Sequence, residues 1–321
     1  MPEFAVEIDR VVKRYVGHVA VRELSLRIPT GTVYGLLGPN GAGKTTTIRM
    51  LLDIIAPDEG TIRLLGVPNT TPGITDRTGY LPEERGLYRR MQVRRVLRFL
   101  AELHGVPRRV ADRRIDEWLE RLGLRDAERD WGGAKVDELS RGMQQKVQFI
   151  GALLHDPDLV ILDEPFSGLD PINAQTLLDI VVQLKHAGKT VLFSTHIMDN
   201  AERLCDAVCI IARGEKVLDG AVPEVKARHG GRHVSVELAS PRDGCVAEVL
   251  GDRTLVRRVT DVNRTMEIEL APEGSSRVLL QRLVLGGADI RRFELVQPSL
   301  HRIFLDEVGA NGAEEGFGVS E

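Results

Sequence analysis

The sequence predicts an α/β protein: a parallel sheet flanked by helices around a phosphate loop, interrupted by a helical insertion and followed by a small α+β domain. Three observations carry this. The stretch Gly38-Pro39-Asn40-Gly41-Ala42-Gly43-Lys44-Thr45-Thr46 matches G-x-x-x-x-G-K-[ST] and sits between an apolar segment, 33–37, that reads as a strand and a segment, 45–53, that reads as a helix. Continuous apolar runs such as Leu159-Val160-Ile161-Leu162 fit strands buried on both faces, and they alternate with helical patterns as a parallel sheet requires. From about residue 229 the pattern changes to short alternating strands with two helical stretches.

Taken in order, 4–12 alternates apolar and polar residues as a strand does, and 19–28 reads as a second strand closed by the turn Pro29-Thr30-Gly31. After the loop and its helix comes the turn Pro57-Asp58-Glu59-Gly60, then short strands at 61–65 and 79–81. Apolar residues then recur at helical spacing from Val93 to Leu122, and Pro107 breaks that run in two. A further helix spans 142–155, so 86–156 is read as the helical insertion. Asp170-Pro171 opens another helix, with Asp as cap and Pro in the first turn, and 190–194 is the next core strand. The glycine pair Gly230-Gly231 reads as a linker. Beyond it, strands at 234–238, 254–259, 266–270 and 290–296 and helices at 276–285 and 299–308 suggest a ferredoxin-like split βαβ domain. The expected domains are therefore 1–228 and 229–308, with 309–321 a disordered acidic tail.

Composition narrows the function. With 43 basic and 47 acidic residues the net charge is −4, which gives no reason to expect nucleic acid as a partner. Three cysteines, Cys205, Cys209 and Cys245, form no C-x-x-C pair and read as buried, reduced thiols. No run of 18 apolar residues exists and the first ten residues do not resemble a signal peptide, so the chain is expected in the cytoplasm, with any membrane role exercised through a partner.

The chemistry starts at the loop. Its glycines let successive backbone N–H groups curl around phosphates, the helix N-terminus adds partial positive charge, Lys44 reaches the β/γ-phosphate oxygens and the Thr45 hydroxyl ligates Mg²⁺. Asp163 and Glu164 end the apolar run 159–162, at the edge of an α/β sheet where ligands bind. Asp163 suits Mg²⁺ held through water, and Glu164 suits the general base that activates the attacking water.

Together with Leu139-Ser140-Arg141-Gly142-Met143-Gln144, these motifs resemble the ATP-binding subunits of ABC transporters over about 4–225. That resemblance implies an ABC-type nucleotide-binding fold and a set of roles. Ser140 and Gly142 match the family's Leu-Ser-Gly-Gly-Gln stretch, which contacts the γ-phosphate held by a partner subunit; Arg141 and Met143 depart from it. Tyr15 stands where the family stacks an aromatic on adenine. Asp170, in Ser167-Gly168-Leu169-Asp170, falls in the loop that communicates between the two active sites. His196 matches the switch histidine at the γ-phosphate, while His104 and His233 are read as structural. Glu83 replaces the family's usual Gln after Pro82; it is a candidate metal ligand or water acceptor, or a residue facing the membrane partner. The stretch from Leu81 to Tyr88 and the ending from Pro298 to Leu305 resemble ATPases of ABC-2-type exporters, of the sodium-efflux and drug-resistance kinds. The implied function is ATP hydrolysis with ATP and Mg²⁺ by a homodimer, or a pair with a related subunit, driving export through a separately encoded permease on the inner face of the membrane. Rival readings are an ABC-type ATPase acting on ribosomes or DNA, and a small-molecule kinase. The first usually has two cassettes in one chain or a long coiled-coil or zinc-bearing insertion, none of which this sequence shows, and a kinase has no use for the Ser140-Gly142 stretch or the Asp170 loop.

Overall fold

The computed structural model describes residues 2–84, 86–230, 232–239, 244–262 and 265–313, with side chains undescribed at 244, 245, 262 and 309–313. Two compact units divide the chain, Met1–Ala221 and Val222–Glu321.

The first unit opens with a long hairpin, β1 (Phe4–Tyr15) and β2 (His18–Pro29), followed by β3 (Val33–Leu37), helix α1 (Lys44–Leu51), β4 (Glu59–Leu64), β5 (Val67–Pro68) and β6 (Thr78–Leu81). The helical insertion is α2 (Val93–Leu103), α3 (Arg108–Arg121) and α4 (Arg141–Leu153), with two short 3₁₀ turns between α3 and α4. The chain returns through β7 (Leu159–Asp163), α5 (Pro171–His186), β8 (Thr190–Thr195), α6 (Met198–Leu204), β9 (Ala207–Ala212) and β10 (Glu215–Ala221).

Two sheets result. β2-β1-β4-β5 is antiparallel, and the six-stranded sheet runs β10-β9-β3-β8-β7-β6. Within the latter β3, β6, β7, β8 and β9 are parallel and β10 turns back on β9. Every residue of β3, β7 and β8 is buried, the expected result for strands covered on both faces. α1 supplies Ile48, Met50 and Leu51 to a core that also takes Val6, Ile8 and Leu26 from the antiparallel sheet and Leu36, Ile161 and Leu192 from the parallel one. The helix that carries the end of the phosphate loop is thus held by apolar residues from both sheets. Because β6 and β7 pair directly, the whole insertion is one crossover between neighbouring strands.

The second unit runs α7 (Val222–His229), β11 (His233–Leu238), α8 (Gly244–Gly251), β12 (Val256–Val262), β13 (Thr265–Leu270), α9 (Ser276–Leu285), β14 (Ile290–Val296) and α10 (Leu300–Ala313). After α7 the order is β-α-β-β-α-β, and the antiparallel sheet β12-β13-β11-β14 has the ferredoxin-like arrangement expected from the sequence. Val234, Val236, Ile268, Leu279 and Leu283 form its core. α10 extends through Ala313; Gly231 of the expected linker, the side chain of Cys245 and residues 314–321 of the expected tail lie outside the described residues. Cys209 is buried and Cys205 partly so, both unpaired by disulfide. Among the described residues no helix is long and apolar enough to cross a membrane.

Candidate functional site

The site is built where β3, β7 and β8 end. β3 delivers Gly38 in a left-handed conformation (φ 154°) so close to β9 that a Cβ there would stand 2.1 Å from the Ile211 carbonyl oxygen. Gly43 (φ 107°) closes the loop, and its carbonyl accepts from the Thr47 hydroxyl at 2.9 Å, within the first turn of α1. Lys44 is buried. Its ammonium donates to the carbonyls of Gly38 (2.7 Å) and Pro39 (3.2 Å) and lies 3.5 Å from a Glu164 carboxylate oxygen.

A cavity of about 330 Å³ lies over this loop, lined by Asn40 to Thr46, by His18 and Ala20 of β2, and by Glu83 and Glu164. The loop residues and two of the three acids expected at the metal and the attacking water therefore face one space. Gly38 and Pro39 form the turn behind it and reach it through Lys44.

The third acid stands just beneath. Asp163 is completely buried, and its Oδ1 accepts from the Ser194 hydroxyl at 2.5 Å and from the Thr45 hydroxyl at 3.4 Å. Its Oδ2 is buried and has no partner among the described residues. A buried carboxylate oxygen left unsatisfied is costly, and beside the Thr45 hydroxyl it is the donor set a hard cation takes.

Glu164 follows in the left-handed region (φ 49°), a conformation that costs a non-glycine residue about 1 kcal/mol or more. Ser194 holds it there: the Glu164 N–H donates to the Ser194 carbonyl and hydroxyl oxygens, each at 3.2 Å. The resulting turn aims the carboxylate into the cavity between two nitrogen groups, Lys44 and the His196 Nδ1 at 3.0 Å. His196 is 45% exposed at its side chain and meets the cavity only through Glu164.

Four further expected residues stand away from this cavity. Tyr15 ends β1, is 45% exposed and stacks on His18, ring centroids 5.6 Å apart, with the Lys13 ammonium 5.8 Å above its ring. Ser140 caps α4, its hydroxyl accepting from the Met143 N–H at 3.3 Å, and both it and Arg141 are exposed. Gly142 lies in the first turn of α4, where a Cβ would stand no closer than 3.5 Å to Asn173 and 3.6 Å to Leu169. Asp170 is exposed and caps α5, accepting from the Asn173 N–H and side-chain amide and from the Ile172 N–H; those bonds hold its carboxyl below the usual carboxylate range.

Sequence reasoning missed the positioning residues. Ser194 sits two residues before His196, yet only its contacts with both acids reveal its work. His18 escaped notice although it supplies the ring under Tyr15. On α4, Gln145 donates to the Pro165 carbonyl (3.3 Å) and Gln148 to the Glu84 carbonyl (2.9 Å), so one helix steadies the backbone beside Glu164 and beside Glu83.

Residues 21–167 match the ABC transporter family model, and 220–308 match the C-terminal domain of DrrA1-3-like ATP-binding proteins. An uncharacterized ABC transporter ATP-binding protein of Bacillus subtilis, YhaQ, is 43% identical over 303 residues, 94% of this chain and 98% of its own. The chain belongs to the ABC transporter ATP-binding family. A Nod factor export ATP-binding protein I of Paraburkholderia xenovorans is 40% identical over 75% of this chain and 78% of its own. Among solved structures, an ATP-binding subunit of an ABC transporter superposes with TM-score 0.64 at 30% identity, covering 70% of this chain and 92% of that one. The cbiO1 protein of Clostridium perfringens, part of the ABC transporter complex cbiONQ, superposes with TM-score 0.61 at 26% identity over the same shares. As a member of this ABC family the chain binds ATP and is an ATPase, and the cavity over the phosphate loop is its candidate nucleotide site.

Proposed function

We propose that two copies of this ABC ATPase close around two ATP molecules and drive export through a separately encoded membrane permease. The observation that carries the proposal is the separation of Ser140 and Gly142 from their own chain's cavity. An exposed, capped helix start with a glycine in its first turn offers N–H donors to an anion, yet among the described residues it lines no part of its own chain's phosphate-loop cavity. A second copy supplies that partner if each α4 start faces the other copy's phosphate loop. Export, rather than import, is favoured by the Nod factor export relatives.

Within one site the roles follow from the contacts. The loop N–H groups and Lys44 receive the triphosphate, and Tyr15 on His18 offers a ring to the adenine. Thr45 and Asp163, with Glu83 at the cavity wall, would hold Mg²⁺; the orphaned Asp163 oxygen fits that cation. Mg²⁺ bound there supplies neutralisation of phosphate charge. Glu164 takes the proton of the attacking water, and His196, bonded to the same carboxylate, orients it. Asp170 fixes the start of α5 beside Gly142 through Asn173.

The experiment is sedimentation of Glu164→Gln, with and without Gly142→Asp, in Mg-ATP. The first variant, slow to hydrolyse, is expected to accumulate as an ATP-dependent dimer, because a ligand bound only by the dimer stabilises it by mass action. Adding Gly142→Asp puts a carboxylate toward the partner's phosphates; its Cβ would meet Asn173 and Leu169 only at ordinary contact distance, 3.5 and 3.6 Å, and Gly142 has no positive φ to lose. Expected are monomers that still bind ATP. A double variant that dimerises, or that binds no ATP, refutes the cross-subunit role.

A further inference from the structure

The second unit has a cavity of its own, about 610 Å³, bounded by the end of α8, by β12, by β13 and by α10. That volume lies within the usual range for small-molecule sites. Four guanidinium groups line it, Arg253, Arg257, Arg258 and Arg302, against two carboxylates, Glu269 and Asp306. Two positive charges are therefore in excess.

The carboxylates are already engaged. Glu269 is buried and receives Arg257 Nη1 on one oxygen at 2.8 Å and Arg302 Nη2 on the other at 2.6 Å. Arg302 also donates from Nε to Asp306 at 3.2 Å. These bonds make Arg302 and Glu269 a fixed wall. Arg253 and Arg258 have no carboxylate partner among the described residues; Arg253 donates to the Arg257 carbonyl at 3.0 Å. Asp252, the acid next to Arg253 in the chain, is bonded instead to Thr254 and Arg282. Val256, Val259 and Leu250 complete the lining with apolar surface.

Arginines left unneutralised at an otherwise ion-paired, partly apolar cavity attract an anion, and their forked donors match the paired oxygens of carboxylate and phosphate. We propose that this cavity binds a small organic dianion with an apolar body, either a phosphate monoester or a dicarboxylate, gripped by Arg253 and Arg258. The site lies wholly in the second unit and shares no residue with the nucleotide cavity, so it stands apart from the transport reading.

The test uses the full chain with its nucleotide site saturated by Mg-ADP, so that a phosphate probe finds only the second site. Phenyl phosphate and adipate are titrated separately by calorimetry. Saturable binding of either is expected, and the tighter of the two identifies the source of the dianion; equal binding assigns recognition to the shared charge. Arg253→Ala/Arg258→Ala is expected to weaken binding at least tenfold. Arg291→Ala, at an exposed arginine on β14, is expected to leave it unchanged. Hydrogen exchange should show protection confined to 250–259 and 300–306. Absence of saturable heat with both probes, unchanged affinity in the double variant, or protection elsewhere overturns the proposal.

Discussion

In the first unit the cation at the nucleotide cavity is held by backbone: Lys44 is bonded to two loop carbonyls and sits against one carboxylate. In the second unit the cations at the arginine-lined cavity are held by side chains, Arg257 and Arg302 sharing Glu269, or not held at all. The first arrangement is built from consecutive residues, because curling a loop around phosphate uses N–H groups every residue owns. The second is assembled from residues far apart in the chain, between Leu250 and Asp306. Contiguous sites leave a motif in the sequence and dispersed ones do not.

The sharpest way to divide the two units is Glu164→Gln. Loss of general-base action is worth roughly 10²–10⁴-fold in turnover, and it is expected here with ATP binding and the second unit's stability intact. Steady-state phosphate release measures it; turnover within about threefold of wild type would remove Glu164 from the chemistry.

The converse substitution is Glu269→Ala. It leaves Arg302, only 16% exposed at its side chain, with Asp306 as its remaining carboxylate. Breaking a buried ion pair costs about 3–5 kcal/mol, and Asp306 offsets part of that, so a loss of about 2–4 kcal/mol is expected in urea unfolding of the second unit. ATP binding should not change. A loss below about 1 kcal/mol, or weakened ATP binding, would break the separation argued here.

Much of the first unit was legible. The phosphate loop, both acids and the helical pattern broken at Pro107 are local signals, and the structure has them where the sequence does. The hairpin of β9 and β10 was not read, although 207–212 is almost wholly apolar. Its turn has Arg213 at φ 52° followed by Gly214 at φ 81°, the geometry normally announced by Asn-Gly; arginine in the first position hid it. α8 escaped because it is eight residues long with glycine at both ends. Ser194 and Gln148 could not be found at all, since their roles exist only once separate strands and helices meet.

The smallest expected effect concerns how the first unit buries polar groups without charge. His155 stacks on His104, ring centroids 3.9 Å apart, and donates from Nε2 to the Thr78 carbonyl oxygen at 3.2 Å. Burial first, and then the His104 ring, push its pKa from 6.5 down to about 4. The folded state thus holds the proton more weakly than the unfolded chain. Stability is whole above pH 6.5, falls as pH drops from 6.5 to 4, and loses nothing more from this group below that. His155→Leu is expected to flatten that limb by on the order of 1–2 kcal/mol. Denaturation at a series of pH values, compared with wild type, measures it; parallel curves would place the acid sensitivity elsewhere.

Gly38 alters how a mutational scan of the phosphate loop is to be interpreted. Its missing Cβ is excluded by the Ile211 carbonyl, 173 positions along the chain, and not by anything a nucleotide does. Every residue reachable from a glycine codon carries a Cβ, so each such change would force the loop away from β9 before substrate arrives. An inactive Gly38→Ala protein therefore says nothing about phosphate contacts. At Gly41 a Cβ meets nothing within 4 Å, and φ of 80° adds only local strain. There, at the one loop glycine with free space around it, alanine can distinguish a lost ligand contact from a broken fold.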